Sequence, residues 1–279
     1  MDAEQLTDPV THHGEGPVYA AAWGGLAFVD MLAGDVLFLA ADGGIGRVHV
    51  GTVAAVIRPR RGGGAVIGVQ RGFVLREPDG SLTRLPEVFS DDSVRMNEGG
   101  CDPAGGFYCG SMAYDQRPGG GTLYRLDPDG SVRVVLESVT VSNGLDWSPD
   151  GSLAYYNDTA THRIDVFDWN PAAGLTGRRP FVELGELRPD GLTVDAQGAV
   201  WAALFGGGQV RRYTADGRLD RTVTVPTASV TACTLGGPDG RDLFITTSKD
   251  DVPDTDRLAG AVFTVRADAP GQRVREFAG

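Results

Sequence analysis

Lysine is almost absent from this chain: Lys249 is the only one in 279 residues, so Schiff-base chemistry would have a single bearer. Basic residues are short overall, with 25 Lys and Arg against 37 Asp and Glu, a net charge of −12. A surface of that sign repels a polyanion, which excludes nucleic acid as a partner, yet it tolerates a divalent cation. Cysteine is scarce too. Cys101, Cys109 and Cys233 form neither an even disulfide framework nor a C-x-x-C metal pattern and read as buried thiols of a reducing compartment. No apolar run approaches the ~18 residues of a membrane span, and Met1-Asp2-Ala3-Glu4-Gln5 lacks the basic and apolar regions of a secretory leader. The expectation is a soluble, cytoplasmic protein with no membrane partner. A G-x-S-x-G elbow and a Walker-type phosphate loop are also missing, which removes the usual support for serine-esterase and nucleotide-hydrolysing chemistry. Nor does any segment keep apolar spacing at i, i+3, i+4 and i+7 beyond about two turns, which argues against a βαβ architecture.

Glycine, by contrast, is abundant. The 41 Gly and 16 Pro are more than a helical fold tolerates and gather in a recurring unit, a Gly-containing turn followed by a short alternating strand. It occurs at Trp23 to Asp30, Gly63 to Gly68, Asp102 to Tyr108, Ser148 to Tyr155, Asp195 to Trp201 and Pro238 to Phe244. The marker glycines Gly25, Gly64, Gly105, Gly151, Gly198 and Gly240 stand 39–47 residues apart, the length of one four-stranded propeller blade. Between markers lie further strand signals, such as Gly121 to Leu126 and Ser131 to Leu136, joined by the turn Asp127-Pro128-Asp129-Gly130. The fold class is therefore all-β, a single six-bladed β-propeller spanning residues 1–279, whose central channel is where a metal site would stand. Closure of the ring is expected from a strand near Leu6 to Thr11, completing the blade that contains Ala261 to Val265.

Equal offsets from a repeat marker imply equal depth around the propeller axis, just before each innermost strand. Eight residues before Gly105, Gly151 and Gly198 stand Asn97, Asn143 and Asp190, and Glu15 lies ten before Gly25. The same step reaches Val56 and Ala232 in the other two blades, so the polar set is one-sided. Asn-Gly and Asp-Gly are also common hairpin pairs, and that reading stands beside the ligand reading for each residue alone. Their shared register favours an oxygen-rich site for a hard divalent cation, because buried carboxylates without a cation are costly. Other candidates are weaker. His12-His13 read as a solvated pair in an N-terminal loop, and His49 and His162 as surface or packing residues among outer strands. Asp250, Asp251, Asp254 and Asp256 lack the Gly and terminal Glu of an EF-hand and read as a solvated loop. Trp147, Trp169 and Trp201 read as core.

Four segments carry a resemblance: G-E-G-P-V-Y (Gly14 to Tyr19), R-M-N-E-G-G-C-D-P-A-G-G-F-Y-C-G-S-M (Arg95 to Met112), S-N-G-L-D-W-S-P-D-G (Ser142 to Gly151) and R-P-D-G-L-T-V-D-A-Q-G-A-V-W-A-A (Arg188 to Ala203). Together they make the chain similar to the regucalcin/gluconolactonase/luciferin-regenerating-enzyme family over nearly its whole length. The resemblance implies a metal-binding propeller that hydrolyses lactones, often sugar lactones. It makes Glu15, Asn143 and Asp190 the metal ligands and Asp190 also the general base. Arg95, Asn97 and Glu98 become substrate contacts. Glu98 stands where the family has an aspartate, Tyr19 where many members have tryptophan, and the loop Ala113 to Pro118 is short. One divalent ion is expected, calcium first, with zinc, magnesium and manganese as alternatives, and a small lactone as the substrate. A metal-dependent aryl-esterase or phosphotriesterase on the same residues, and a non-catalytic calcium-binding propeller, are the competing readings.

Overall fold

Six tight turns set the architecture. At Gly24, Gly63, Gly105, Gly151, Gly198 and Gly240 the backbone takes φ between +72° and +92°, which an L side chain resists, and each amide closes a bond to the carbonyl three residues earlier. Each turn joins an innermost strand (Gly14–Ala20, Ala54–Pro59, Val94–Cys101, Ser142–Trp147, Arg188–Val194, Val230–Gly236) to a second strand running back beside it (Gly25–Asp30, Ala65–Val69, Phe107–Ala113, Leu153–Asp158, Val200–Phe205, Asp242–Thr247). In the first two repeats the turn glycine is thus one residue earlier than the motif suggested. The computed structural model describes residues 1–279, which form six four-stranded antiparallel sheets in a ring, a six-bladed β-propeller. Gly121–Leu126 and Val132–Val139 are outer strands of the third blade, as their turn chemistry implied.

The closing strand differs from the expectation. Glu4–Gln5, not Leu6 to Thr11, pairs with Phe263–Arg266 as the outermost strand of the last blade, with Glu4 opposite Thr264 and Gln5 opposite Phe263. Leu6 and Thr7 both turn their amides to the Val262 carbonyl, and Pro9 has no amide to give, so the regular ladder stops at Gln5. The end of the chain adds a tie with no sequence motif. Gly271 donates to the Gly240 carbonyl, Phe277 to Pro59 and Ala278 to Gly105, so the tail crosses three blades at one end of the channel.

Aromatic residues of the repeat fill the seams between blades. Phe73 meets Phe107 edge-on at 5.7 Å, Tyr108 meets Trp147 at 5.4 Å, and Tyr19 stacks on Phe244 at 5.8 Å. Such pairs add about 0.5–1.5 kcal/mol each beyond area burial. Trp147 and Trp201 are fully buried, as expected of core residues, and all three cysteines are free and buried. His162 does not lie on an outer strand. It ends a 3-10 turn in the left-handed region, φ +52°, because a tight reversal there links the second and third strands of its blade.

Candidate functional site

Every innermost strand breaks register with its neighbour at one level. The shifts fall at Glu15/Val18, Ala54/Val56, Met96/Gly99, Ser142/Leu145, Pro189/Leu192 and Val230/Ala232. These are β-bulges, which re-aim side chains and cluster beside functional sites. The dipeptides Asn143-Gly144 and Asp190-Gly191 lie in bulges rather than in hairpin turns. Their glycines are needed for close approach: a Cβ on Gly144 would strike the Leu192 amide, and one on Gly191 the side chain of Ala232. Candidate residues therefore sit on the innermost strands, not before them, and the bulges deliver them to one place.

That place is a cavity of about 350 Å³ at the end where the innermost strands begin, with Glu15, Arg95, Asn97, Asn143 and Asp190 all in its wall. These five are buried, none more than 7% exposed. Asn97 donates to the Ser142 carbonyl at 2.8 Å and accepts from the Arg95 guanidinium at 2.6 Å. Asn157 Nδ2, on the neighbouring blade, donates to the Asp190 carbonyl at 2.6 Å and so holds that bulge. No motif in the sequence singles out Asn157. The Asn143 amide donates to Thr159 Oγ1 at 3.1 Å, but its Oδ1 is sealed from solvent and has no partner.

Glu98 stands apart from the other five. It does not line the cavity; its carboxylate lies in the channel 3.5 Å from Arg58, with Oε2 unpartnered. Asn97 and Glu98 both lie in the bulge between Met96 and Gly99, which re-aims the two side chains separately and sets Asn97 in the wall and Glu98 beside Arg58. Beyond it, a void of about 60 Å³ at the opposite end is walled by Arg58, Asp146, Gln272 and Arg275.

The electrostatics are those of crowded buried carboxylates. Burial first, then the charges of Asp190 and Glu98, raises the Glu15 carboxyl well above the usual range. Burial and then Glu98 do the same to Asp190, with the Asn143 amide drawing it back. Burial also pushes Glu98 up to about 7, against the pull of Arg58. Without a cation such groups take up protons; a divalent ion would relieve both desolvation and repulsion. No three His, Cys, Asp or Glu side chains stand together in metal-holding geometry. The donors that fit are instead two carboxylates and the unpartnered Asn143 oxygen, an all-oxygen set suited to calcium, magnesium or manganese.

Ring closure contributes residues that local reading assigned to solvent. His13 and the pair Asp250, Asp251 line the cavity, with Arg188 on the same rim. His13 Nδ1 lies 2.8 Å from Ser248 Oγ and 2.9 Å from Asp250, and His12 Nε2 lies 3.0 Å from the other Asp250 oxygen. The His13 hydrogen bond, above all, lowers the Asp250 carboxyl to about 2. Arg188 lies 4.8 Å from the Phe205 ring centroid and 3.7 Å from Asp251. Nothing in the local sequence pairs residue 13 with residue 250. Asp256 instead ties its own loop, accepting from Thr227 Oγ1 at 2.6 Å.

Comparison with known proteins gives one direction. The family described as the SMP-30/Gluconolactonase/LRE-like region matches residues 13–249. Regucalcin of Oryctolagus cuniculus is 33% identical over 271 residues, covering 91% of this chain and 90% of its own. A putative sugar lactone lactonase of Bacillus subtilis is 30% identical over 290 aligned positions, covering 100% and 99%. The crystal structure of a calcium-binding protein, regucalcin, from Agrobacterium tumefaciens superposes with a TM-score of 0.93 at 25% identity, covering 100% of this chain and 98% of the other.

Proposed function

Because the chain belongs to the SMP-30/gluconolactonase/LRE-like family, we propose that it is a metal-dependent lactonase acting on a sugar lactone or a related lactone. One observation carries the reading: Glu15, Asn143 and Asp190 converge on one cavity from separate blades, two carboxylates raised by burial and an amide oxygen with no partner. These three residues would hold the ion, with calcium the first candidate and magnesium, manganese and zinc the others. The ion, when bound, supplies Lewis-acid polarisation of the ester carbonyl. Asp190 takes the proton from the attacking water. Arg95, whose Nε has no protein partner, faces the developing oxyanion, and Asn97, held by Arg95 and Ser142, fixes the ring of the substrate. Glu98, away from the wall, acts on the site by charge rather than by contact. The substrate is a small molecule; neither nucleic acid nor membrane is a partner, and the cytoplasm is the compartment.

A pH-stat panel of aldonolactones, aryl esters and phosphotriesters, with and without chelator, tests the assignment. Chelator-sensitive turnover of aldonolactones above the other classes, abolished in Asp190→Ala, is the expected result. Turnover of the esters or phosphotriesters alone would move the protein to the competing hydrolase class. The calcium-binding description of the Agrobacterium relative favours one further reading, a non-catalytic calcium-binding propeller. Calcium binding with no hydrolysis on the whole panel would establish it.

A further inference from the structure

His13 has an orientation that the proposed reaction does not yet use. Its Nδ1 lies 2.9 Å from an Asp250 oxygen and 2.8 Å from Ser248 Oγ. A carboxylate only accepts, so Nδ1 carries the hydrogen of that pair, and the neutral ring then presents a lone pair at Nε2. Ser248 Oγ accepts the Asp250 amide at 2.9 Å, and Asp250 is anchored a second time by His12 at 3.0 Å. The ring is therefore held on one edge by two partners that are themselves held. Nε2 has no protein partner, yet it is not among the polar atoms sealed from solvent. The His13 side chain, 14% exposed, lines the same cavity as Glu15.

Position in the chain gives the reach. His13 pairs with Ser248 directly before the strand Gly14–Ala20, so His13 and Glu15 are two residues apart on one extended face, roughly 6.6 Å along the chain. A cyclic ester with its carbonyl at the Glu15 end extends its far side toward His13. An aliphatic ring offers that nitrogen nothing, whereas a hydroxylated ring offers a donor.

From this geometry we infer that His13 is a substrate-binding and specificity-determining residue: its Nε2 accepts a hydrogen bond from a hydroxyl of the lactone, with Asp250 and Ser248 as positioning residues. The inference rests on the lactonase reading and adds to it the residue through which a hydroxylated lactone is told from an unsubstituted one. The local sequence does not announce this, because the two halves of the device meet only when the ring closes.

The test is the ratio of kcat/KM for glucono-δ-lactone to that for δ-valerolactone in the full-length, calcium-loaded protein. One neutral hydrogen bond is worth about tenfold. His13→Phe should lower the ratio by about that factor, with the change in KM rather than kcat. His13→Gln, which can still place an acceptor, should recover at least half of the loss on a logarithmic scale. Asp250→Asn should lower the ratio in the same direction by less, since the ring stays but its hold weakens. Calorimetric calcium affinity should stay within about threefold in His13→Phe, which separates a substrate contact from damage to the ion site. An unchanged ratio in His13→Phe, or no recovery in His13→Gln, overturns the inference while leaving the lactonase reading standing. Absence of turnover on both lactones by the wild type overturns the lactonase reading and this inference with it.

Discussion

Replacing Asn143 by Ala separates a metal ligand from a structural amide. In the folded protein the Asn143 amide donates to Thr159 at 3.1 Å and favours the Asp190 carboxylate, while Oδ1 is buried without a partner. Losing the bond costs about 0.5–1.5 kcal/mol, and removing an unsatisfied buried oxygen returns a comparable amount, so the ion-free protein should change by about 1 kcal/mol or less. With calcium at 100 times the dissociation constant, the wild type gains about 2.7 kcal/mol, which at about 2–4 °C per kcal/mol raises the unfolding midpoint by roughly 5–11 °C. A hundredfold weaker site at the same calcium would leave about 0.4 kcal/mol, a shift of about 1 °C. Differential scanning calorimetry of both proteins, in chelator and in calcium, reads all four numbers. Equal calcium shifts in wild type and Asn143→Ala would refute the assignment of this oxygen as a ligand. A large loss of stability in chelator would make the residue structural.

The remaining predictions concern pH and the chain terminus. Burial raises the Glu98 carboxyl to about 7, so the native state holds a proton that the unfolded chain has released above the ordinary carboxylate range. Its contribution to stability is complete below pH about 4.5 and is lost as pH rises through about 7, on the order of 3 kcal/mol. The midpoint measured in chelator should fall across that window, and Glu98→Gln should flatten the fall; an identical slope in the variant would show that Glu98 is not the group responsible. Calcium should protect more at pH 8 than at pH 5, because Glu15 and Asp190, both raised, must lose protons to bind it. Phe277 is 1% exposed where the tail ties the blades; Phe277→Ala should cost about 3–5 kcal/mol in chemical denaturation. A cost below 1 kcal/mol would mean the tail is not part of the fold's closure.

Much of this was written in the chain locally. Turn chemistry is a short-range property, so the marker glycines announced six blades and their lengths, and equal offsets from them put Asn97, Asn143 and Asp190 at one level before any coordinates. Glu15 stands nine residues before the observed turn glycine Gly24, one residue off the eight-residue step, so the structure and not the offset brings it to the others. Other features were beyond local reading. Whether Glu98 meets the cavity or the channel depends on a bulge, and a shift of one residue reverses a side chain's direction. The closing strand is Glu4–Gln5 because pairing with Phe263–Arg266 competes with irregular bonds to Val262 that no pattern of apolar residues records.

By itself, then, the sequence determined the architecture, the family and the level of the candidate ion site, since each is encoded by residues that act within a turn or a strand. Tertiary structure alone decided what surrounds that site. Closing the ring sets His13 against Asp250, 237 residues apart in the chain, and turns two polar segments that look solvated in isolation into one wall of the cavity.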